Sequence, residues 1–308
     1  MTEIPAAKVS AAIETIDLFE PEHLRFEEAL EKGLVTYIPD SVWQDYYARI
    51  SREAIYPENV KKAALRVVYS PLCGAGGEPV SEMLTRLGAE LHIPENQRLP
   101  SGEFASCPTP NPETDSAFDE NYKLAAQCRP DIILATDPDS DRIAAAIPVG
   151  GGFRKLSGNE MGCLLLDYIL RNLRKNGTLP EKPVAVKSIV STPLADRIAA
   201  ALGCEMRTVL TGFKYIGGVI LELEEQGCPE RFVLGFEESC GYLKGDYARD
   251  KDAVVTAMLI AEMAASYKLE GRTLGDVMDG LYDEYGHFAT GLQNVQFTSD
   301  AQKEHCMA

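Results

Sequence analysis

Polar and apolar positions change rhythm several times along the chain. Over the first 60 residues the pattern is charged and helical. EPEHLRFEEALEKG (20–33) sets Leu24, Ala29 and Leu30 along one side and stops at Gly33. From Leu65 the rhythm shortens. LRVVYSPL (65–72) is an apolar strand running into a Ser-Pro turn. VSEMLTRLG (80–88) follows, with Val80, Met83, Leu84 and Leu87 at helical spacing and Gly88 as the stop. A loop rich in Pro, Asn and Ser fills 94–116, and DIILA (131–135) is the next strand. GNEMGCLLLDYILRNLRKNG (158–177) reads as a helix burying Met161, Leu164, Leu165, Tyr168 and Ile169, and GTLPEKP (177–183) has the composition of a linker.

The second half repeats the first. VAVKSIVSTPL (184–194) is again a strand followed by Ser-Thr-Pro-Leu, and ALGCEM (201–206) echoes RLGAEL (86–91). RFVLGFEESCGY (231–242) parallels DIILATDPDSDR (131–142), each a strand that ends in acidic residues. The predicted class is α/β: two similar α/β domains in tandem, each a mainly parallel mixed sheet flanked by helices. The division expected is a helical lead-in over 1–60, the remnant of a preceding domain boundary, then domains over 61–178 and 179–290, then a C-terminal stub over 291–308. Ligands of such sheets gather beyond the carboxyl ends of the strands, where both acidic clusters lie.

Composition narrows the choices. A length of 308 residues suits two domains, each able to bury a core. The net charge of -17 argues against a nucleic-acid or anionic-membrane partner. No apolar run is long enough to span a bilayer, and the N-terminus lacks a signal peptide's apolar stretch. The eight cysteines form no C-x-x-C pair, and the four histidines are not at zinc-ligand spacing. Reduced thiols in a cytoplasmic protein are the expected reading.

Asp137, Asp139 and Asp141 stand at alternate positions after Ile132-Ile133-Leu134, and Arg142 follows. An extended loop would turn the three carboxylates to one side. Like charges held that close raise one another's pKa, and a divalent cation removes the conflict. An all-carboxylate set points to a hard ion, Mg²⁺ before Ca²⁺ or Mn²⁺. Arg142 would then help hold a phosphate. A calcium EF-hand is excluded, since its sixth and twelfth loop positions would hold Arg142 and Pro148 instead of Gly and Glu.

The remaining motifs are weaker alone. GFEESCGY (235–242) presents Glu237, Glu238 and Ser239 together, which suits sugar hydroxyls and equally suits a polar turn. TGFK (211–214) offers backbone N–H groups and an ammonium to an anion, though a plain turn into a helix has the same pattern. ARDKD (248–252) clusters Arg249 and Lys251 and also reads as a solvated charge run at a helix start. CPTPNPE (107–113) is a rigid loop with no evident chemistry, and PLCGAGGEP (71–79) lacks the P-loop pattern.

Taken in order, TDPDSDR, TGFK, GFEESCGY and RDKD resemble the α-D-phosphohexomutase superfamily. The likeness is greatest to phosphoglucomutases with a GFEES-x-GY sugar loop, a type that includes phosphopentomutase-like members. LRVVYSPLCGAGGEPV and CPTPNPE resemble that family's second domain, and the likeness covers roughly residues 10–300. It implies that 61–178 is domain II and 179–290 domain III of a four-domain enzyme built around one cleft. Asp137, Asp139 and Asp141 would bind Mg²⁺. Glu237 and Ser239 would contact sugar hydroxyls. Thr211, Gly212, Phe213 and Lys214 would line the cleft, with Arg142, Arg249 and Lys251 on the phosphate side. The implied reaction interconverts hexose 1-phosphate and hexose 6-phosphate, such as those of glucose, through a phosphoserine enzyme and a bisphosphate.

Two family features do not occur in this sequence: a Thr-x-Ser-His-Asn-Pro loop carrying the phosphoserine, and an Arg-x-Ser-Gly-Thr-Glu-Pro phosphate loop. The chain is therefore expected to be an inactive fragment with no catalytic serine of its own. Cys73 and Cys240 stand at loop positions where relatives commonly carry an aromatic residue or His. Three other activities fit the same residues: pentose phosphate mutase, glucose-1,6-bisphosphate synthase, and non-catalytic binding of metal or phosphosugar.

Overall fold

The computed structural model describes residues 3–17, 19, 23–291 and 297–307. Positions 20–22 of the expected lead-in helix and 292–296 of the C-terminal stub lie outside the described residues. The elements run α1 (Glu3–Ile13), α2 (Phe26–Glu31), α3 (Asp40–Ser51), α4 (Glu58–Lys62), β1 (Arg66–Ser70), α5 (Gly77–Arg86), β2 (Glu90–His92), α6 (Asp119–Cys128), β3 (Ile132–Thr136), β4 (Ile143–Val149), β5 (Gly152–Lys155) and α7 (Gly158–Lys175). They continue with β6 (Val184–Ser188), α8 (Leu194–Ala201), β7 (Glu205–Val209), α9 (Phe213–Glu225), β8 (Phe232–Glu237), β9 (Gly241–Leu243), α10 (Ala253–Leu269), α11 (Leu274–Tyr285) and α12 (Asp300–Met307).

Two sheets result, ordered β2-β1-β3-β4-β5 and β7-β6-β8-β9. The repeat seen in the sequence is thus a repeat of topology. In each sheet the first three strands pair in parallel. The next strand is antiparallel, because the chain turns straight back after β3 and after β8. Strands β3, β6 and β8 are buried along their whole length. This is why they read as continuous apolar runs and not as alternation. Each of the two reversals carries one of the acidic clusters.

α7 links the two sheets and packs on the second, while α10 crosses back to the first. α7 starts at a Ser157–Glu160 capping box and packs on α8 and β8 of the second sheet. α10 follows the second sheet in sequence, yet it packs on α4 and α5 and against β3 and β4 of the first. Both helices are covered on nearly every side. Helical spacing marks five buried positions on α7, and the structure also buries Cys163, Leu166 and Leu170. Gly162 is required for this approach: a Cβ there would lie 2.4 Å from the Phe236 ring. The exchange predicts that neither half folds alone. Residues 23–178 and 179–291 expressed separately should show no cooperative melt, and co-expression should restore one. A sharp calorimetric transition in either isolated half would overturn it.

The lead-in joins this core. Tyr47 and Ile50 of α3 and Val60 of α4 are buried. α3 and the turn that follows it are also fastened to the segment leading into α10. Glu53 pairs with the buried Lys244 at 2.8 Å, Arg49 with Asp246 at 2.6 Å, and the Tyr46 hydroxyl donates to Asp252 Oδ2 at 2.8 Å. The earlier helix is shorter than its pattern predicts. Leu24 is 46% exposed and Arg25 is extended, so among the described residues of 20–33 the helix is Phe26–Glu31.

Candidate metal and ligand site

β3 delivers Asp137 to the edge of the first sheet, and the chain reverses at once. The Ser140 N–H donates to the Asp137 carbonyl at 3.0 Å, and Asp137 Oδ1 accepts the N–H groups of Asp141 (3.2 Å) and Arg142 (2.9 Å). Ser140 is left-handed, with φ 59, a conformation a non-glycine residue adopts only under constraint. The aspartates therefore do not converge through an extended loop, as their alternation suggested, but through a tight turn. It is closed because β4 must pair back on β3. One carboxylate oxygen from each of Asp137, Asp139 and Asp141 lies within 4.8 Å of the others.

The glycine loop at 74–77 seats this turn. The Ala75 N–H donates to the Pro138 carbonyl at 2.7 Å, and a Cβ on Gly74 would lie 2.3 Å from the Pro138 Cα. PLCGAGGEP thus has a role its sequence did not show: its backbone makes room for the aspartate turn.

Asp137 is 2% exposed, Asp141 is half-buried and Asp139 is exposed. Burial raises the Asp137 carboxyl, and the charges of Asp141 and Asp139 add to this while bonds from Arg142 oppose it. Two fixed cations share the cluster. Arg142 Nε donates to Asp137 Oδ2 at 2.7 Å, and Lys251 Nζ lies 2.9 Å from Asp141 Oδ2. Both are shared further, Arg142 with Glu113 (2.8 Å) and Lys251 with Asp250 (2.9 Å). Burial works against the Lys251 charge, but the two aspartates outweigh it and its pKa is raised. Three carboxylates against two shared cations leave negative charge for a further cation. The all-oxygen set fits a hard divalent ion.

The second acidic loop is stitched to the first. Ile143 N–H donates to the Cys240 carbonyl at 2.9 Å, and Arg142 bridges Gly241 antiparallel. Cys240, like Ser140, is left-handed, with φ 67. Glu237 is buried at the end of β8, and its Oε1 accepts the Gly212 N–H at 2.6 Å. Burial raises its carboxyl, with the Gly212 N–H and Lys251 drawing it back. Phe213 is buried beside Gly212, and Lys251 Nζ lies 5.5 Å from the centre of its ring. One connected line results: the aspartate turn, Lys251, Phe213, Gly212 and Glu237. Ser239 is half-buried at the loop's turn.

Other expected residues point elsewhere. Arg249 Nη2 is paired with Glu224 of α9 at 2.5 Å, so its guanidinium is directed along that helix, not onto the aspartates. Lys214 is exposed, with its ammonium 4.9 Å over the Tyr215 ring, and Thr211 beside it is exposed. The Arg142 fork is held by two carboxylates, at Nε and Nη1. A groove of about 760 Å³ opens beside Asp139 and Asp141, walled by Trp43, Tyr46, Tyr247 and the 249–252 segment. A slightly larger cavity, about 780 Å³, lies among α7, α10 and α11 and shares no residue with this site.

Sequence reasoning passed over Glu113, in the proline loop with no evident chemistry, and Ser188, whose hydroxyl donates to Glu238 Oε2 at 2.7 Å. Neither lies in a local pattern of charge or period, so no nearby signal marks it.

Comparison with known proteins agrees with this geometry. Residues 44–150 match the family Phosphoglucomutase/phosphomannomutase, alpha/beta/alpha domain II, and residues 157–285 match its domain III. The chain is 32% identical over 286 residues to a phosphomannomutase of Mycoplasmoides pirum, covering 92% of this chain and 51% of that protein. It is 34% identical over 268 residues to a phosphoglucomutase of Staphylococcus aureus, covering 85% of this chain and 47% of that one. The chain thus spans about half the length of the curated relatives it matches. Among solved structures, the open form of the phosphoglucomutase pp63/parafusin from Paramecium superposes with a TM-score of 0.60 at 19% identity, over 79% of this chain and 42% of that one. At that identity the likeness is one of fold.

Proposed function

We propose, from the premise that this chain belongs to the phosphoglucomutase/phosphomannomutase family and carries its domains II and III, that it forms the metal-binding and sugar-binding part of a phosphohexose mutase. One observation carries the reading. Three aspartate oxygens converge within 4.8 Å on a turn whose backbone is bonded to the acidic loop of the second sheet. This supports reading the two acidic loops as one site, with metal ligands on the first and sugar ligands on the second.

Mg²⁺ is the cation these residues fit best; Asp137, Asp139 and Asp141 would hold it, and it would supply charge to offset that of a phosphoryl group in transit. Arg142 and Lys251 supply fixed positive charge on the same side. Glu237 uses one oxygen to hold Gly212 and offers the other to a sugar hydroxyl, with Ser239 next to it. Thr211 and Lys214, exposed at the Gly212 turn, would line the cleft. The substrates are hexose 1-phosphate and hexose 6-phosphate, with a bisphosphate intermediate. The chain has no Ser-His-Asn-Pro sequence, so the phosphoryl donor is supplied by another segment or chain. The eight free cysteines support a cytoplasmic, reducing location. Among the described residues no helix is long and apolar enough to cross a membrane.

The test is binding without turnover. With Mg²⁺ present, saturation-transfer NMR should detect glucose 6-phosphate on this chain, and Glu237→Ala should remove the signal while Mg²⁺ affinity stays within about 2-fold, as for a group off the metal. A coupled assay should find no conversion of glucose 1-phosphate. Sustained conversion that Asp139→Ala abolishes would refute the claim that the donor lies elsewhere. Absence of any sugar-phosphate signal would refute the site.

A further inference from the structure

We propose that Glu113 is a positioning residue for this site: it fixes the guanidinium of Arg142, and through it the carboxylate of Asp137. The inference rests on the metal and phosphosugar reading above and adds a residue outside its motifs.

Glu113 lies on a loop that has no helix or strand of its own, yet the loop is held from several directions. Pro108, Pro110 and Pro112 restrict its backbone. Asn111 Oδ1 accepts the Glu113 N–H at 3.0 Å, and the Thr114 hydroxyl donates to the Asn111 carbonyl at 2.8 Å. Lys155, on β5, donates to the Glu113 carbonyl and pairs with Asp115 at 2.7 Å. A loop built only to connect two elements has no need of this many fixed points. Their joint result is to aim one carboxylate at Arg142.

Arg142 has five N–H donors in a planar fork. Asp137 Oδ2 takes Nε at 2.7 Å, and Glu113 Oε1 takes Nη1 at 2.8 Å. Two carboxylates on two different nitrogens fix both the position and the plane of the group. Among the described residues nothing bonds Nη2, so its two N–H groups are left for an incoming anion.

Glu113 also decides a competition. The Arg142 guanidinium and a metal ion are both drawn to the Asp137 oxygens, and Asp141 Oδ1 lies 3.9 Å from Nε. Glu113 pulls the guanidinium toward the proline loop and takes up part of its charge. Without that pull, Arg142 would settle further onto Asp137 and Asp141 and displace the metal. Glu113 therefore favours metal binding although it ligates nothing.

The experiment is a double-mutant cycle read by calorimetric titration with Mg²⁺ on the intact chain. Glu113→Gln keeps the shape of the side chain and removes its charge. It should weaken Mg²⁺ binding about 10-fold, the range seen when an outer-shell partner of a ligand is lost. In an Arg142→Gln background the same change should alter affinity by less than about 2-fold, because its route to the metal is gone. Equal losses in both backgrounds would mean that Glu113 acts through the general fold of the loop, and would overturn the proposal. A chain that binds no Mg²⁺ would instead refute the metal reading. Guanidinium ¹⁵N NMR then decides the positioning separately. The Arg142 Nη1 hydrogens, which Glu113 accepts and which are assigned by their loss in Arg142→Lys, should exchange slowly in wild type and rapidly in Glu113→Gln. Unchanged exchange would overturn the proposal whether or not metal binds.

Discussion

Mg²⁺ is expected to raise the melting temperature of the chain, and Asp139→Ala to abolish that rise. A ligand that binds only the folded state stabilises it by RT ln(1 + [L]/Kd), about 2.7 kcal/mol at a hundred times Kd. Asp139 is the informative position of the three. Asp137 also holds its own turn, through the N–H groups of Asp141 and Arg142 and the Arg142 side chain. Its removal would mix loss of metal with loss of structure. Asp139 is exposed, and among the described residues nothing bonds its side chain. An exposed substitution of that kind shifts stability by no more than about 0.5 kcal/mol. Wild type and Asp139→Ala should thus melt together without Mg²⁺ and separate as Mg²⁺ is added. Differential scanning calorimetry over a magnesium series is the check. A rise that survives Asp139→Ala would remove Asp139 from the ligand set, and no rise in wild type would remove the metal from the site.

The parts of this site that were legible in the sequence are those written locally. The apolar run Ile132–Leu134 followed by three aspartates marks a strand end carrying charge, and RFVLGFEESCGY marks its counterpart. The helix over 158–177 announces itself by spacing. What was hidden depends on contacts between distant residues. Glu113 meets Arg142 across 29 positions, and Tyr46 meets Asp252 across 206. No period or spacing encodes such pairs. α10 shows the same limit at the scale of an element. Its apolar residues cover all sides, so its pattern says that it is buried but not against which sheet. The aspartate alternation misled about conformation for a related reason. Spacing of two suits an extended chain, but pairing of β4 on β3 is a tertiary demand that imposes a turn.

Replacing Glu262 with glutamine is expected to leave stability nearly unchanged in acid and to raise it relative to wild type as pH increases. Glu262 is fully buried near the middle of α10. Its carboxylate accepts the Tyr168 hydroxyl of α7 at 2.8 Å and the Ile55 N–H at 2.9 Å, so it ties together α10, α7 and the turn before α4. Burial pushes this carboxyl above its usual range, and the hydrogen bonds from Tyr56, Tyr168 and Ile55 offset only part of the effect. A carboxyl with a raised folded pKa binds its proton more tightly in the native state than in the unfolded one. The resulting stabilisation is fully present below the unfolded value of about 4.3. It is lost as pH rises toward the folded value, and above that value the buried charge is carried at full cost. Glutamine cannot ionise and has no such slope. It keeps an acceptor for the Ile55 N–H, and its amino group can donate to the Tyr168 oxygen, whose proton then turns to Ser266, 3.1 Å away. Glu262→Ala should behave differently, losing roughly 1–3 kcal/mol even in acid, because buried donors are left without an acceptor. Urea unfolding of the three proteins across the pH series separates these effects. Parallel pH profiles for wild type and Glu262→Gln would show that the Glu262 carboxyl is not perturbed in the folded state.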